Sequence, residues 1–436
     1  MFSPENQQSH SSLMRQLHEY GILLFAFSLP IFEAPKHLGY CMMVVGFLGV
    51  SLYKKTIRLE KPNFIEYLLI AILITSAIST FLNWPLLDGI KGLKHLFYHI
   101  STFWILYRNK YNKKFLIKIP MALVLGTLVG IFWAEYHLFF SQIPLPAPGE
   151  FELKFNSVNS VSRSSAFNAS ILFVCAGVLM DNVYKFKRRA MIFFTIAWVI
   201  ISACTLIMGG RGNVLSILGA YLFLFIPLLK HKKYLYFISI QTAIALIAII
   251  LLHIYSGAPQ TGRFKHLLST KFTTNISAMG MHDQIRYDYW RIGLAQIYQH
   301  PSLFGVGPRN FKSIKVKDLH LQPPLLQKTI KLISHAPQHS HNWVLTKCAE
   351  DGVAGLALFL GLIFTLFFTL WRHRPSNEKG EVSWIWVAAF SAIITAVISG
   401  FFNSAFTHEN GWLTFFLIGL GAGYTRQKSR GEKEQC

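Results

Sequence analysis

The chain has 436 residues, of which 52% are hydrophobic, 15% aromatic and only 14% charged. Soluble domains carry roughly 25% charged residues, so this composition excludes a water-soluble protein, and its 37 Phe and 10 Trp exclude a disordered one. Lys and Arg number 42 against 20 acidic residues, a net charge of +22, but most of the excess sits in short stretches between apolar blocks. That distribution sets membrane topology and argues against a nucleic-acid partner.

A helix that crosses the roughly 30 Å hydrocarbon layer needs about 20 mostly apolar residues. In chain order, apolar stretches occur at 20–32 (broken by Pro30), 38–53, 64–81, 93–107 (with His95 and His99), 121–140, 167–179, 190–208, 214–229, 237–254, 353–371, 384–402 and 412–424. Together they predict an all-α polytopic membrane protein of about 12 transmembrane helices. Basic clusters fall in every second loop: Lys54/Lys55/Arg58/Lys61, Arg108/Lys110/Lys113/Lys114, Lys185/Lys187/Arg188/Arg189, Lys230/Lys232/Lys233, Arg372/Arg374/Lys379 and Arg426/Lys428/Arg430/Lys433. The positive-inside rule makes these loops cytoplasmic. An even number of crossings must then separate the first two clusters, which requires 93–107 as a span; with 20–32 also spanning, both termini are expected in the cytoplasm.

The expected organisation is nine spans with short loops over 1–255, a long basic outer segment over 256–351, three spans over 352–424 and a basic tail, 425–436, without fixed structure. The outer segment holds twelve Lys and Arg, among them Arg286, Arg291, Arg309, Lys312 and Lys347, against only five acidic residues. Outward positive charge of this density suggests an anionic partner such as lipid phosphate. A helix is expected over 284–299, with Ile285, Tyr289 and Ile292 along one side. His300-Pro301 ends it, and Gly305-Val306-Gly307-Pro308 makes a tight turn. Pro323-Pro324 can start a second helix carrying Leu326, Ile330 and Ile333 in a stripe. The two helices read as a cap on a cavity. The five cysteines show no CxxC or metal spacing and read as buried free thiols, and no removable signal peptide is expected.

Two outer positions offer chemistry. Arg211, within Gly209-Gly210-Arg211-Gly212-Asn213, stands between two spans. It either supplies five donors and permanent charge to phosphate oxygens or snorkels to the interface. His335, His339, His341 and Asn342 precede the tenth span, where a histidine serves as a general base or bonds a loop carbonyl. No acidic or cysteine ligand at suitable spacing completes a zinc site, so no metal is expected.

His341-Asn342 followed by Gly352 and Gly355, together with Arg211-Gly-Asn-Val-Leu215, resembles the signature of bacterial O-antigen ligases and the related O-antigen polymerases. Arg286-Tyr-Asp-Tyr-Trp290, with His300-Pro301 and Gly305-Val-Gly307 behind it, is similar to that superfamily's outer-loop segment. The resemblance covers roughly 211–355. It implies a C-type glycosyltransferase of the bacterial inner membrane with a periplasmic active site and no cofactor. The enzyme would transfer a glycan from undecaprenyl pyrophosphate to a sugar of the lipid A–core oligosaccharide, with inversion and without a metal. His341 is then the candidate catalytic base, and Arg211 and Arg286 hold the departing pyrophosphate. Asn342, His339, Arg291 and Lys347 are candidates for orienting or substrate contacts, and Gly352 and Gly355 for close helix packing. An O-antigen polymerase, or an oligosaccharyltransferase acting on protein, is the near alternative. A transporter or flippase is the alternative of another class, although such proteins usually show repeated halves and polar mid-membrane helices.

Overall fold

The computed structural model describes residues 4–53, 62–140, 161–182, 188–207, 211–229, 281–321, 337–374, 383–403 and 408–433, with isolated positions at 236–243 and 406. Its helices are α1 (Pro4–Ser28), α2 (Glu33–Tyr53), α3 (Phe64–Leu82), α4 (Leu86–Arg108), α5 (Lys113–Leu116), α6 (Lys118–Phe140), α7 (Val161–Asn182), α8 (Arg188–Ile207), α9 (Arg211–Leu228), α10 (Met281–Gln299), α11 (Trp343–Arg372), α12 (Trp384–Gly400) and α13 (His408–Lys433). No strand occurs among the described residues. Most of the expected span at 237–254, and all of the expected helix after Pro323-Pro324, lie outside them.

Among the described residues, five helices are long and apolar enough to cross a membrane: Phe64–Leu82, Lys113–Ala134, Ser164–Asp181, Arg188–Thr205 and Trp343–Arg372. Gly212–Leu228 and Trp384–Gly400 are shorter apolar helices. The protein is an all-helical, polytopic membrane protein. The burial of each helix separates the centre of the bundle from its lipid side. In α7, 94% of the apolar window is enclosed by protein, whereas in α11 only 33% is. α12 packs on α7, α9 and α13, and it too is buried along nearly its whole length. On the outside, Ile70, Ile74, Ile78 and Phe81 of α3 and Phe364 and Phe368 of α11 are exposed. A helix that is apolar all round needs such an apolar surrounding.

Small residues set the closest approaches. α1 and α2 form a hairpin in which Gly21 faces the Met43 backbone and Gly39 faces the Phe25 backbone, too near for any side chain at either glycine. α1 starts well before the expected span, because residues 10–19 continue the helix and Arg15 and Glu19 pair at 3.1 Å one turn apart. It ends at Ser28, just before the turn containing Pro30. The basic tail is a correction to the expectation of irregular chain: α13 continues through it to Lys433. Gln427 donates to the Asn109 carbonyl at 2.7 Å, and Arg426 stacks over the Tyr107 ring at 5.1 Å, so the end of α4 gives the tail something to fold against. Cys41 is a second correction. It is exposed on the outer face of α2 beside Leu38, Val45 and Leu48, while Cys175 and Cys204 are buried.

Buried ion pairs lock distant helices together. Glu66 of α3 accepts from Trp104 at 2.8 Å and from the Arg108 guanidinium of α4 at 2.5 Å. Lys36 of α2, 1% exposed, contacts Glu409 of α13 at 2.8 Å and lies over the Trp412 ring. Removing one partner of such a pair leaves the other charge buried alone, at a cost of about 3–5 kcal/mol. Lys36→Ala is therefore expected to lower the thermal unfolding midpoint markedly in detergent. Lys36→Met combined with Glu409→Met should recover most of that loss.

Candidate functional site

Several of the candidate residues gather at the end of the bundle where α3 finishes and α4, α11 and α13 begin. Their arrangement follows from a break in α11. Gly352 has φ 72 and ψ −174, so the helix is interrupted there. In a regular helix the N–H groups of Val353 and Ala354 would reach the carbonyls of Ala349 and Glu350. Instead they donate to Ser302 and Leu303 at 3.3 and 3.2 Å, and the two carbonyls accept from Val306 and Gly307 at 2.9 and 2.8 Å. Two helical hydrogen bonds are opened and four bonds to the 302–307 loop replace them, so no backbone group is orphaned.

The end of α3 completes the junction. Ser79 donates to the carbonyls of Phe304 and Glu350, and Asn83 donates to the Gly305 carbonyl at 3.0 Å. Ser76 holds the fully buried Asp351 at 2.6 Å. On the other side, Pro308 packs so closely against Gly92 of α4 that a side chain there would meet it. The loop is thus clamped between α3, α4 and the broken helix. It continues through Arg309, itself at φ 61, into two single helical turns, Phe311–Ser313 and Val316–Asp318.

α10 lies against α11 and this loop, with Ile292, Phe311, Ile314, Leu319 and Ala349 forming a small buried cluster of their own. Tyr289 joins that cluster, and its ring stacks on His341 at 5.7 Å between centroids. Burial there raises the Tyr289 phenol above its ordinary pKa, so it stays a neutral partner. His341 has φ 56, which is uncommon outside glycine although His tolerates it better than most residues. The His339 ring is 4.4 Å from that of His341. Arg286 stands one turn before Tyr289 on α10 and is half-buried.

A pocket of about 140 Å3 opens at this junction, lined by Gly92, His95 and His99 of α4, Pro308, Arg309 and Lys312 of the loop, His339, and Thr346, Lys347, Glu350 and Asp351 of α11. Lys347 pairs with Asp351 at 2.6 Å and Lys312 with Asp88 at 2.8 Å. The hydrogen bond from Lys312 holds the Asp88 carboxyl below the usual carboxylate range. The pocket is therefore rich in cations and histidines at fixed positions, suited to an anion. Among the described residues no group of three or more His, Cys, Asp or Glu is arranged to hold a metal.

Of the residues singled out in sequence, the fold brings His339 and Lys347 into the pocket and His341 directly beside it. Arg211 is the first residue of α9, and its side chain lies outside the described residues. Arg291 is paired with Asp288 at 3.0 Å. Asn342 is the N-cap of α11, its side-chain oxygen accepting from Val344 and Leu345 at 3.0 and 3.2 Å, so it positions the helix start. Gly352 admits a loop rather than a neighbouring helix, and Gly355 leaves room for the Asp351 side chain. Sequence reasoning counted Arg309 and Lys312 only as part of the basic outer segment, and gave no role to His95, His99 or the Ser76, Ser79 and Asn83 row. The Gly305–Pro308 turn was the available signal for the first two.

Fold and site together define a polytopic helical membrane protein with a basic, histidine-flanked pocket at one end of its bundle. Residues 196–360, which include α9, α10 and the break in α11, match the family model described as O-antigen ligase. That match supports a place in the O-antigen ligase/polymerase superfamily, whose members are glycosyltransferase-like enzymes acting on lipid-linked glycans. A search of curated proteins finds no match to the chain.

Gly352→Ala tests the junction. Left-handed φ alone costs a non-glycine residue about 1–3 kcal/mol, and the added Cβ would also meet the Leu303 carbonyl and lie 2.5 Å from the Phe304 nitrogen. The variant should show a lower unfolding midpoint and faster proteolysis within the 302–313 loop.

Proposed function

We propose that the protein is an O-antigen ligase. It transfers a glycan from undecaprenyl pyrophosphate to a sugar of the lipid A–core oligosaccharide at the periplasmic face of the bacterial inner membrane. The observation that carries this reading is the cation-rich pocket beside His341, within a chain that matches the O-antigen ligase family model. In this reading 256–351 is the periplasmic segment, with α10 part of a cap over the site. Residues 1–255 and 352–424 form about twelve spans, and 425–436 ends in the cytoplasm.

The chemistry needs a base and a stabilised leaving group. The acceptor hydroxyl oxygen attacks the anomeric carbon from the face opposite the phosphate, inverting it. The hydroxyl proton passes to His341, which Tyr289 holds in place by ring stacking. The bond from the anomeric carbon to the phosphate oxygen breaks, and its electron pair leaves with undecaprenyl pyrophosphate. Arg211 and Arg286 bind that pyrophosphate and offset its developing charge, so no metal is required. Ligase rather than polymerase is favoured by the positive charge around the site, since lipid A–core is heavily phosphorylated.

The test is transfer in detergent by purified protein supplied with lipid-linked glycan and lipid A–core. A core-linked glycan is expected. Lengthened lipid-linked glycan would instead make the protein a polymerase, and no glycosidic product would favour transport. His341→Ala should reduce transfer by roughly a hundredfold or more while protein abundance in membranes stays unchanged. Loss of the protein from membranes would give His341 a structural role instead. Arg211→Ala should weaken use of the donor by a comparable factor, and Arg211→Lys should restore only part of it, because lysine lacks the planar fork.

A further inference from the structure

The clamped loop presents a cation that no carboxylate among the described residues engages in a direct ion pair. Of the three basic side chains lining the pocket, Lys312 and Lys347 each have a carboxylate partner, Asp88 and Asp351. Among the described residues, no carboxylate lies within ion-pair distance of Arg309. Asp88 lies within electrostatic reach of Arg309 but is paired with Lys312, and Glu350 is engaged by the backbone N–H groups of Arg309 and Phe311. Arg309 adopts φ 61, a conformation unfavourable for arginine, and is held there by the Gly305–Pro308 turn between Gly92 and the broken helix. Strain of this kind persists only where the surroundings over-determine it, and it collects at ligand-binding positions.

We propose that Arg309 is a phosphate-binding residue and that the pocket it lines is a phosphoryl subsite. A guanidinium fork, two ammonium groups and His339 surround a space of about 140 Å3. That donor set matches the several oxygens and multiple charge of a phosphoryl group better than a monoanionic carboxylate. Asp88 and Asp351 fix the two lysines in position, while Arg309 supplies the direct bidentate contact. The break at Gly352 thereby has a purpose beyond packing, since it holds the loop that carries Arg309. The phosphoryl group belongs either to the donor's diphosphate or to a phosphate on the acceptor glycan. That last assignment rests on the proposed transferase reading; the existence of the subsite does not.

The experiment uses the full-length protein in detergent with Arg309→Gln, Arg309→Gly and Arg309→Lys. Glycine accepts φ 61 without strain, so Arg309→Gly removes the guanidinium while preserving the loop. Binding of inorganic pyrophosphate is measured by calorimetry, and KM and kcat are measured for the lipid-linked donor and for phosphorylated and dephosphorylated acceptor. Wild type should bind pyrophosphate, and the Gln and Gly variants should bind it roughly tenfold or more weakly, with lysine intermediate. A rise in KM for the donor alone identifies the donor diphosphate as the ligand. A rise for phosphorylated acceptor, absent with dephosphorylated acceptor, identifies the acceptor phosphate. Unchanged pyrophosphate binding together with unchanged KM for both substrates overturns the subsite while leaving the transferase reading intact. If no transfer occurs even with wild type, loss of pyrophosphate binding on substitution upholds the subsite and removes the transferase reading. Equal binding, or none by any form, removes the subsite.

Discussion

The structure depends on one exchange of backbone hydrogen bonds. Opening two helical bonds around Gly352 would be prohibitive near an apolar phase if the freed groups stayed unpaired, since each would cost several kcal/mol. The 302–307 loop supplies four partners, and Ser79 of α3 and its C-cap residue Asn83 bind three carbonyls at the same junction. A segment that would otherwise hang outside the bundle is thus stitched into the start of a membrane helix. The candidate groups at this end are placed relative to that stitch: the Arg309 loop on one side, Lys347 about one turn before the break with Asp351 next to it, and His341 at the helix start.

Charge is handled differently at the two ends of the bundle. Away from the pocket, the buried Glu66 is fully occupied by Arg108, Trp104 and its own capping box with Asn63, an arrangement that serves architecture. At the pocket end the carboxylates are fewer than the cationic and imidazole groups they face, and they fix lysines rather than cancel the whole field. Fixed positive charge in a partly desolvated site is worth far more to an anion than the same charge in water. α10 adds a second constraint. It packs its own small apolar cluster against the loop and α11, and through Tyr289 it sets the His341 ring.

The bundle was largely legible in sequence because apolar length is a local property. Eleven of the twelve expected stretches coincide with helices, and most of 237–254 lies outside the described residues. The helix ending before His300-Pro301 and the turn at Gly305–Pro308 were also visible, since proline and glycine act on their own neighbours. The tail after Tyr424 was misread because its polar composition carries no sign of the contacts with Asn109 and Tyr107 that keep it helical. Asn342, expected to orient the histidine or the sugar, also caps α11, a role that only its hydrogen bonds reveal.

By itself, then, the sequence determined the helical membrane class of the protein, the positions of most of its apolar helices and a short set of candidate histidines and arginines. Only the tertiary structure decided which of them meet. His339, Lys347, Arg309, Lys312, His95 and His99 come from three separate stretches of chain, and no local pattern records that they line one pocket. The physical reason is that their proximity is fixed by long-range backbone pairing at Gly352 and by the approach of Gly92 to Pro308. Both contacts join residues far apart in sequence, and neither leaves a periodic trace in the chain.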